Sequence, residues 1–205
     1  VSDVRWTLVG LVLLLSGCMT SPPASSSSAL SGLSGSGVSS SIVGSIRARA
    51  CFDAARAGQA GREGLAACNR ALDREVMTPD MVAATLVNRG IIHMQMRDLA
   101  AAVADFDAAI GTRPQTAEAW VNKGIALIRR GEDAEAAALL THGLELGPEN
   151  AAVAHYSRAY AYEGLGKLRE AYEDYGRAAA LAPDWPEPVE QLRRFKVVRV
   201  RTAGA

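Results

Sequence analysis

The reactive side chains of this 205-residue chain are three cysteines and three histidines. A cysteine thiolate serves as nucleophile, metal ligand or half of a disulfide. A histidine carries protons or ligates a metal. Cys18 stands three residues after the apolar run Trp6–Leu15. Cys51 and Cys68 lie almost symmetrically about the break Gly58-Gln59-Ala60-Gly61, which would set them at one height in an antiparallel helical hairpin. His93, His142 and His155 share no local motif. No H-E-x-x-H, G-x-S-x-G, P-loop or C-x-x-C pattern gathers these residues into a catalytic or metal-binding constellation. The sequence therefore reads as non-enzymatic, with no cofactor and no metal expected. A formal net charge of zero leaves no global field to draw in nucleic acid.

The elements that carry these residues repeat. Residues 117–150 contain Trp120, Gly124, Leu127, Ala136, Leu140 and Pro148. The same places 34 residues earlier hold Leu86, Gly90, His93, Ala102, Phe106 and Pro114, and 35 residues later His155, Ala159, Tyr162, Ala171, Tyr175 and Pro183. Small residues let two helices approach, large ones fill the seam, Gly131 breaks the hairpin and Pro148 ends the second helix. The positions match W-x2-L-G-x2-Y…A-x3-F…P, and about two thirds of the chain resembles the tetratricopeptide (TPR) repeat family. The resemblance implies an all-α fold: a right-handed superhelical array of antiparallel helix pairs. Its TPR units would be 83–116, 117–150 and 152–185, preceded by a degenerate helix pair at 45–82. A C-terminal capping helix is expected at 186–199, with Val189, Leu192 and Phe195 on one stripe. Its Arg193, Arg194, Lys196 and Arg199 either form a solvated face or touch anionic lipid or a polyanion.

TPR arrays mostly hold partners and rarely do chemistry. The resemblance places the binding groove on the concave face of each first helix. The candidates are Val87, Asn88, Ile91, Met94, Val121, Asn122, Ile125, Ile128, Tyr156 and Tyr160. They make an apolar strip edged by two amides, suited to a protein or peptide segment. Asn88 and Asn122 either hold a ligand backbone or bond to a neighbouring helix. The fifth positions, Val87, Val121 and Tyr156, lack the lysine with which carboxylate-clamp TPRs take a C-terminal carboxylate. Arg89 with Asp105, and Arg158 with Asp174, recur at the seventh and twenty-third positions. They read as ion pairs across the hairpin, or alternatively as solvated charges. The middle repeat has Lys123 and Leu139 there and lacks the acid.

The N-terminal run is too short to span a bilayer as a permanent helix and suits the apolar region of a signal peptide. The tetrapeptide Leu15-Ser16-Gly17-Cys18 resembles a bacterial lipobox. The resemblance implies a signal peptide at 1–17, cleavage before Cys18, and acylation of Cys18 as a membrane anchor. The alternative is an ordinary signal with an incidental cysteine. Met19, where retention at the inner membrane tends to use Asp, leans towards the outer membrane, with the folded part facing the periplasm. The Ser/Gly-rich stretch 18–44 reads as a flexible tether. In such an oxidising compartment Cys51 and Cys68 are expected to pair, the alternative being two buried thiols. Two functions fit this layout. One is an envelope adaptor that docks a protein partner. The other is a pilotin-like accessory in assembly of a pilus or secretion channel. If the lipobox is false, the chain is cytosolic.

Overall fold

A computed structural model describes residues 4–8, 46–58 and 61–199, the first segment and 196–199 as backbone only. The expected Cys18, the tether at 18–44 and most of the expected signal peptide lie outside the described residues. The described helices are α1 Ile46–Arg56, α2 Arg62–Arg74, α3 Pro79–Gln95, α4 Leu99–Thr112, α5 Ala117–Arg129, α6 Asp133–Glu145, α7 Ala151–Gly164, α8 Leu168–Leu181 and α9 Pro186–Leu192. They pack as successive antiparallel pairs, α1/α2, α3/α4, α5/α6 and α7/α8, each against the next. The architecture is the all-α array that the repeats imply.

Three of the described helix starts are capped by side chains. Thr78 Oγ1 accepts a hydrogen bond from the Met81 amide at 3.3 Å, and Pro79 occupies the first helical position of α3. Asp98 caps α4 through the Ala101 amide at 3.1 Å, and Asn150 caps α7 through Val153 at 3.2 Å. Each cap satisfies an amide that has no partner within the helix. The turns between paired helices need a left-handed residue. Gly131 and Gly166 supply it with φ of 78° and 71°, whereas the unit at 83–116 uses Arg97 at φ 64°. A side chain in that conformation is strained.

Within each pair the approach is set by small residues. A Cβ at Gly90 would lie 2.5 Å from Phe106 Cε1, and one at Gly124 2.7 Å from Leu140 Cγ. The largest core cluster runs through three of the pairs and includes Leu86, Phe106, Ile125 and Leu140. A second closes the C-terminal end around Tyr156, Tyr175 and Phe195.

The end of the chain departs from expectation. The capping helix stops at Leu192, and Phe195–Arg199 is a strand, β2. The sequence Phe195-Lys196-Val197-Val198-Arg199 is short and β-branched, and such residues favour a strand over a free helix end. Its partner is Val4–Leu8, β1, paired antiparallel from Val4↔Arg199 to Leu8↔Phe195. Thus a segment expected to belong to a signal peptide is paired with the C-terminal end of the array in the full chain.

Candidate functional site

The first site built by the fold is the disulfide. Cys51 on α1 and Cys68 on α2 are bonded, with their Cα atoms 4.6 Å apart. Both cysteines are buried, against Ala55 of α1 and Ile92 of the neighbouring unit. The bridge therefore joins the two helices that have only one neighbouring pair to lean on.

The seventh-position bases form a ladder. Arg89 pairs with Asp105 through Nε at 2.9 Å and Nη2 at 2.6 Å, and its Nη1 donates to Asn69 Oδ1 of the preceding pair at 2.8 Å. Arg158 pairs with Asp174 through Nε at 2.7 Å and Nη2 at 3.0 Å, and its Nη1 donates to Thr141 Oγ1 of the preceding pair at 3.0 Å. Lys123, whose repeat has Leu139 at the twenty-third position in place of the acid, reaches Asp107 of the preceding pair at 2.8 Å. Asn69, Asp107 and Thr141 each follow the twenty-fourth-position residue of their repeat, so one base in each of the three later units links it to the unit before. The backward links were not read from the sequence, although the recurrence at one position was visible there.

Asp174 is the most heavily engaged acid. It is 1 % exposed and meets His155 Nδ1 at 3.0 Å and Arg177 Nη1 at 2.9 Å as well as Arg158. Burial raises its pKa, but the hydrogen bonds from His155, Arg158 and Arg177 and the Arg158 charge outweigh it and hold the carboxyl at about 2. This is a structural network of a buried acid and its donors.

The concave strip is mostly interior. Val87, Asn88, Met94, Val121, Asn122, Ile125 and Tyr156 are all buried, which corrects the expectation of an open apolar groove. The reason is packing between neighbouring first helices. The fifth, sixth and ninth positions meet the adjacent repeat before they meet solvent, and the core cluster contains Val87, Val121 and Ile125 together. Asn122 Nδ2 donates to Glu118 O of its own helix at 2.8 Å, so its amide bonds locally. Asn88 Nδ2 is buried with no partner among the described residues, as is Ser157 Oγ at the equivalent place. Ile91 and Ile128 stay half-buried, and Tyr160 is 46 % exposed.

The edge of this face carries a second link that the sequence did not announce. Gln95 Nε2 donates to Ala55 O at 2.9 Å, and Arg129 Nη1 to Met94 O at 3.1 Å. Both residues stand at the thirteenth position and reach back to the end of the preceding first helix, where carbonyls lack helical partners. Burial, with Arg97 nearby, lowers the Arg129 pKa.

Towards the C-terminal end, Tyr156 packs on Trp185 at 4.8 Å between ring centres and on Tyr175 at 5.3 Å. Tyr175 donates to Glu163 Oε2 at 3.2 Å, and Arg194 Nη2 pairs with Glu163 Oε1 at 2.6 Å. Among the described residues no cluster of His, Cys, Asp and Glu could hold a metal ion, and no helix is long and apolar enough to cross a membrane.

Family models described as tetratricopeptide repeat match residues 87–151 and 152–184. No curated protein matches the sequence. Among solved structures, the crystal structure of MamA is similar with a TM-score of 0.58 at 20 % identity, covering 74 % of this chain and 82 % of that one. The first TPR of Spaghetti (RPAP3), bound to the HSP90 peptide SRMEEVD, has a TM-score of 0.53 at 24 % identity, covering 56 % of this chain and 90 % of that one. The Arabidopsis OM64 TPR domain has 0.52 at 19 % identity, covering 57 % and 98 %. The helix pair α1/α2 precedes the matched residues, yet its place in the seventh-position ladder makes it part of the same stack. Residues 87–184 are therefore tetratricopeptide repeats, the body of an all-α superhelical array.

Proposed function

We propose that this protein is a lipid-anchored adaptor of the bacterial cell envelope that holds a segment of a protein partner against its first-helix face. The observation that carries the reading is a TPR array whose first-helix face leaves Tyr160 exposed and Ile91 and Ile128 half-buried. A large ring with a polar tip is well suited to a contact that is dry on one side and wet on the other. The similar Spaghetti structure carries SRMEEVD, a peptide with an acidic end. Here the fifth positions Val87, Val121 and Tyr156 are buried and none is lysine, which supports an apolar anchor over a C-terminal carboxylate. The lipobox-like Leu15-Ser16-Gly17-Cys18 supports anchoring through an acylated Cys18.

A photo-crosslinking residue placed at Tyr160, and separately at exposed Leu181 on α8, tests the surface in cells. Crosslinks to one defined protein from position 160 and none from 181 are expected. Crosslinks from 181 alone would move the partner to the second-helix face. Cys18→Ser should abolish lipid labelling and release the protein from membranes. Labelling that persists in that variant would overturn the anchor.

A further inference from the structure

We propose that in the processed protein β2 is a strand acceptor, to which an extended partner segment adds antiparallel in the place that β1 takes in the full chain. The inference rests on the reading of residues 1–17 as a signal peptide that is removed.

Two features of the C-terminal end carry it. First, the edge of β2 accepts a strand of defined register, with five residue pairs from Val4↔Arg199 to Leu8↔Phe195. Second, the root of β2 is pinned to the array by contacts that owe nothing to β1. The Phe195 ring is buried 5.7 Å from that of Tyr172 and 6.0 Å from that of Tyr175, and Arg194 beside it pairs with Glu163. β1 spans the start of the apolar run that the signal reading needs for export. A chain cut before Cys18 has therefore lost β1 and kept β2, whose amides and carbonyls on that edge are then unpaired. An unpaired edge is a template for strand addition.

In strand addition the backbone ladder supplies affinity, and side chains at alternate positions supply specificity. β1 alternates Val4, Trp6 and Leu8 with Arg5 and Thr7. The occupant is accordingly an extended segment of a protein partner with apolar residues at alternate places, no internal proline and little positive charge. The charge condition disfavours a second copy of β2. Self-pairing centred on Val197 would bring two copies each of Lys196 and Arg199 into one short ribbon, whereas β1 contributes a single Arg5.

The test compares two chains: protein purified from membranes after processing, and the full chain expressed without export so that residues 1–17 remain. The probe is a fluorescent peptide of residues 1–9. It should bind the processed chain saturably and the full chain at least about tenfold more weakly, because tethered β1 competes at high effective concentration. A double variant, Val197→Pro with Val198→Pro, removes the ladder amide in either phase of the pairing. It should abolish peptide binding while leaving the thermal midpoint of the array unchanged. Equal affinity in the two chains, binding that survives the double proline, or a processed chain that dimerises through β2 instead would each overturn the proposal. Intact mass separates the two layers: retention of residues 1–17 in the envelope protein sinks the processed reading and the free edge with it, whereas a chain that begins at Cys18 and ignores the peptide sinks the docking alone.

Discussion

Asp174 shows how a buried charge is made tolerable. Its side chain is 1 % exposed, yet three donors from α7 and α8 surround it. Because its pKa in the folded state, about 2, lies below the ordinary 3.8, its contribution is fully present above about pH 4–5 and lost as pH falls through about 2. The size follows from the shift, about 2–3 kcal/mol. Urea unfolding at pH 5 and at pH 2 should show that loss, and Asp174→Asn should remove most of the difference between the two. At neutral pH the same substitution leaves Arg158 without its counter-charge and should cost about 3–5 kcal/mol. An unchanged acid limb in the variant would mean that other carboxylates control it.

At the scale of the element, two features set the helix pairs apart from one another. Arg97 stands at φ 64°, where the equivalent turns use Gly131 and Gly166. Glycine adopts that conformation without a Cβ clash, so Arg97→Gly should stabilise the protein by about 0.5–1 kcal/mol, net of the extra entropy glycine gives the unfolded chain. Thermal melts of the two forms check it, and a lower midpoint in the variant would show that the arginine side chain contributes more than its backbone strain. The second feature is the bridge across α1 and α2, with a sequence separation of 17. Closing a loop of that size in the unfolded chain gives about 3 kcal/mol in the chain-entropy picture. Cys51→Ala with Cys68→Ala should therefore expose the amides of 46–74 to hydrogen exchange while those of 99–181 stay protected. Equal loss of protection in both regions would show that the array unfolds as one unit.

The whole molecule holds together through repeated links between neighbours. Repeat-array stability is close to a sum of unit and interface contributions. Each interface here has a seventh-position base reaching back, Arg89 to Asn69, Lys123 to Asp107 and Arg158 to Thr141. The interfaces are unequal, because Arg89 also neutralises the buried Asp105, whereas Lys123 serves only the half-exposed Asp107. Arg89→Ala should cost about 3–5 kcal/mol, and Lys123→Ala about 0–1 kcal/mol. Denaturant midpoints of the two variants measure the contrast. Equal costs would mean that Asp105 finds another donor, His93 being the nearest at 3.8 Å.

The sequence by itself determined the array. Spacing of small residues at Gly90, Gly124 and Ala159 against Phe106, Leu140 and Tyr175 can be met only by close helix pairs, and the structure has those pairs. The Cys51–Cys68 bridge and the Arg–Asp pairs were legible for the same reason: each is set by register within one hairpin, and register is a local property. Which side chains remain open to a partner was not legible. Val87, Val121 and Ile125 are placed on the first-helix face by sequence, but whether that face meets solvent depends on how closely the next first helix is laid beside it. The backward reach of Lys123 to Asp107 and of Arg129 to Met94 O depends on the same distance between units. The strand at Phe195–Arg199 was missed because an apolar stripe at three-residue spacing also fits a helix. What decided it was a partner about 190 residues away in the chain, β1, and a ring pocket at Tyr172 and Tyr175. Pairings between distant segments leave no periodic trace in either one, so only the tertiary structure could settle them.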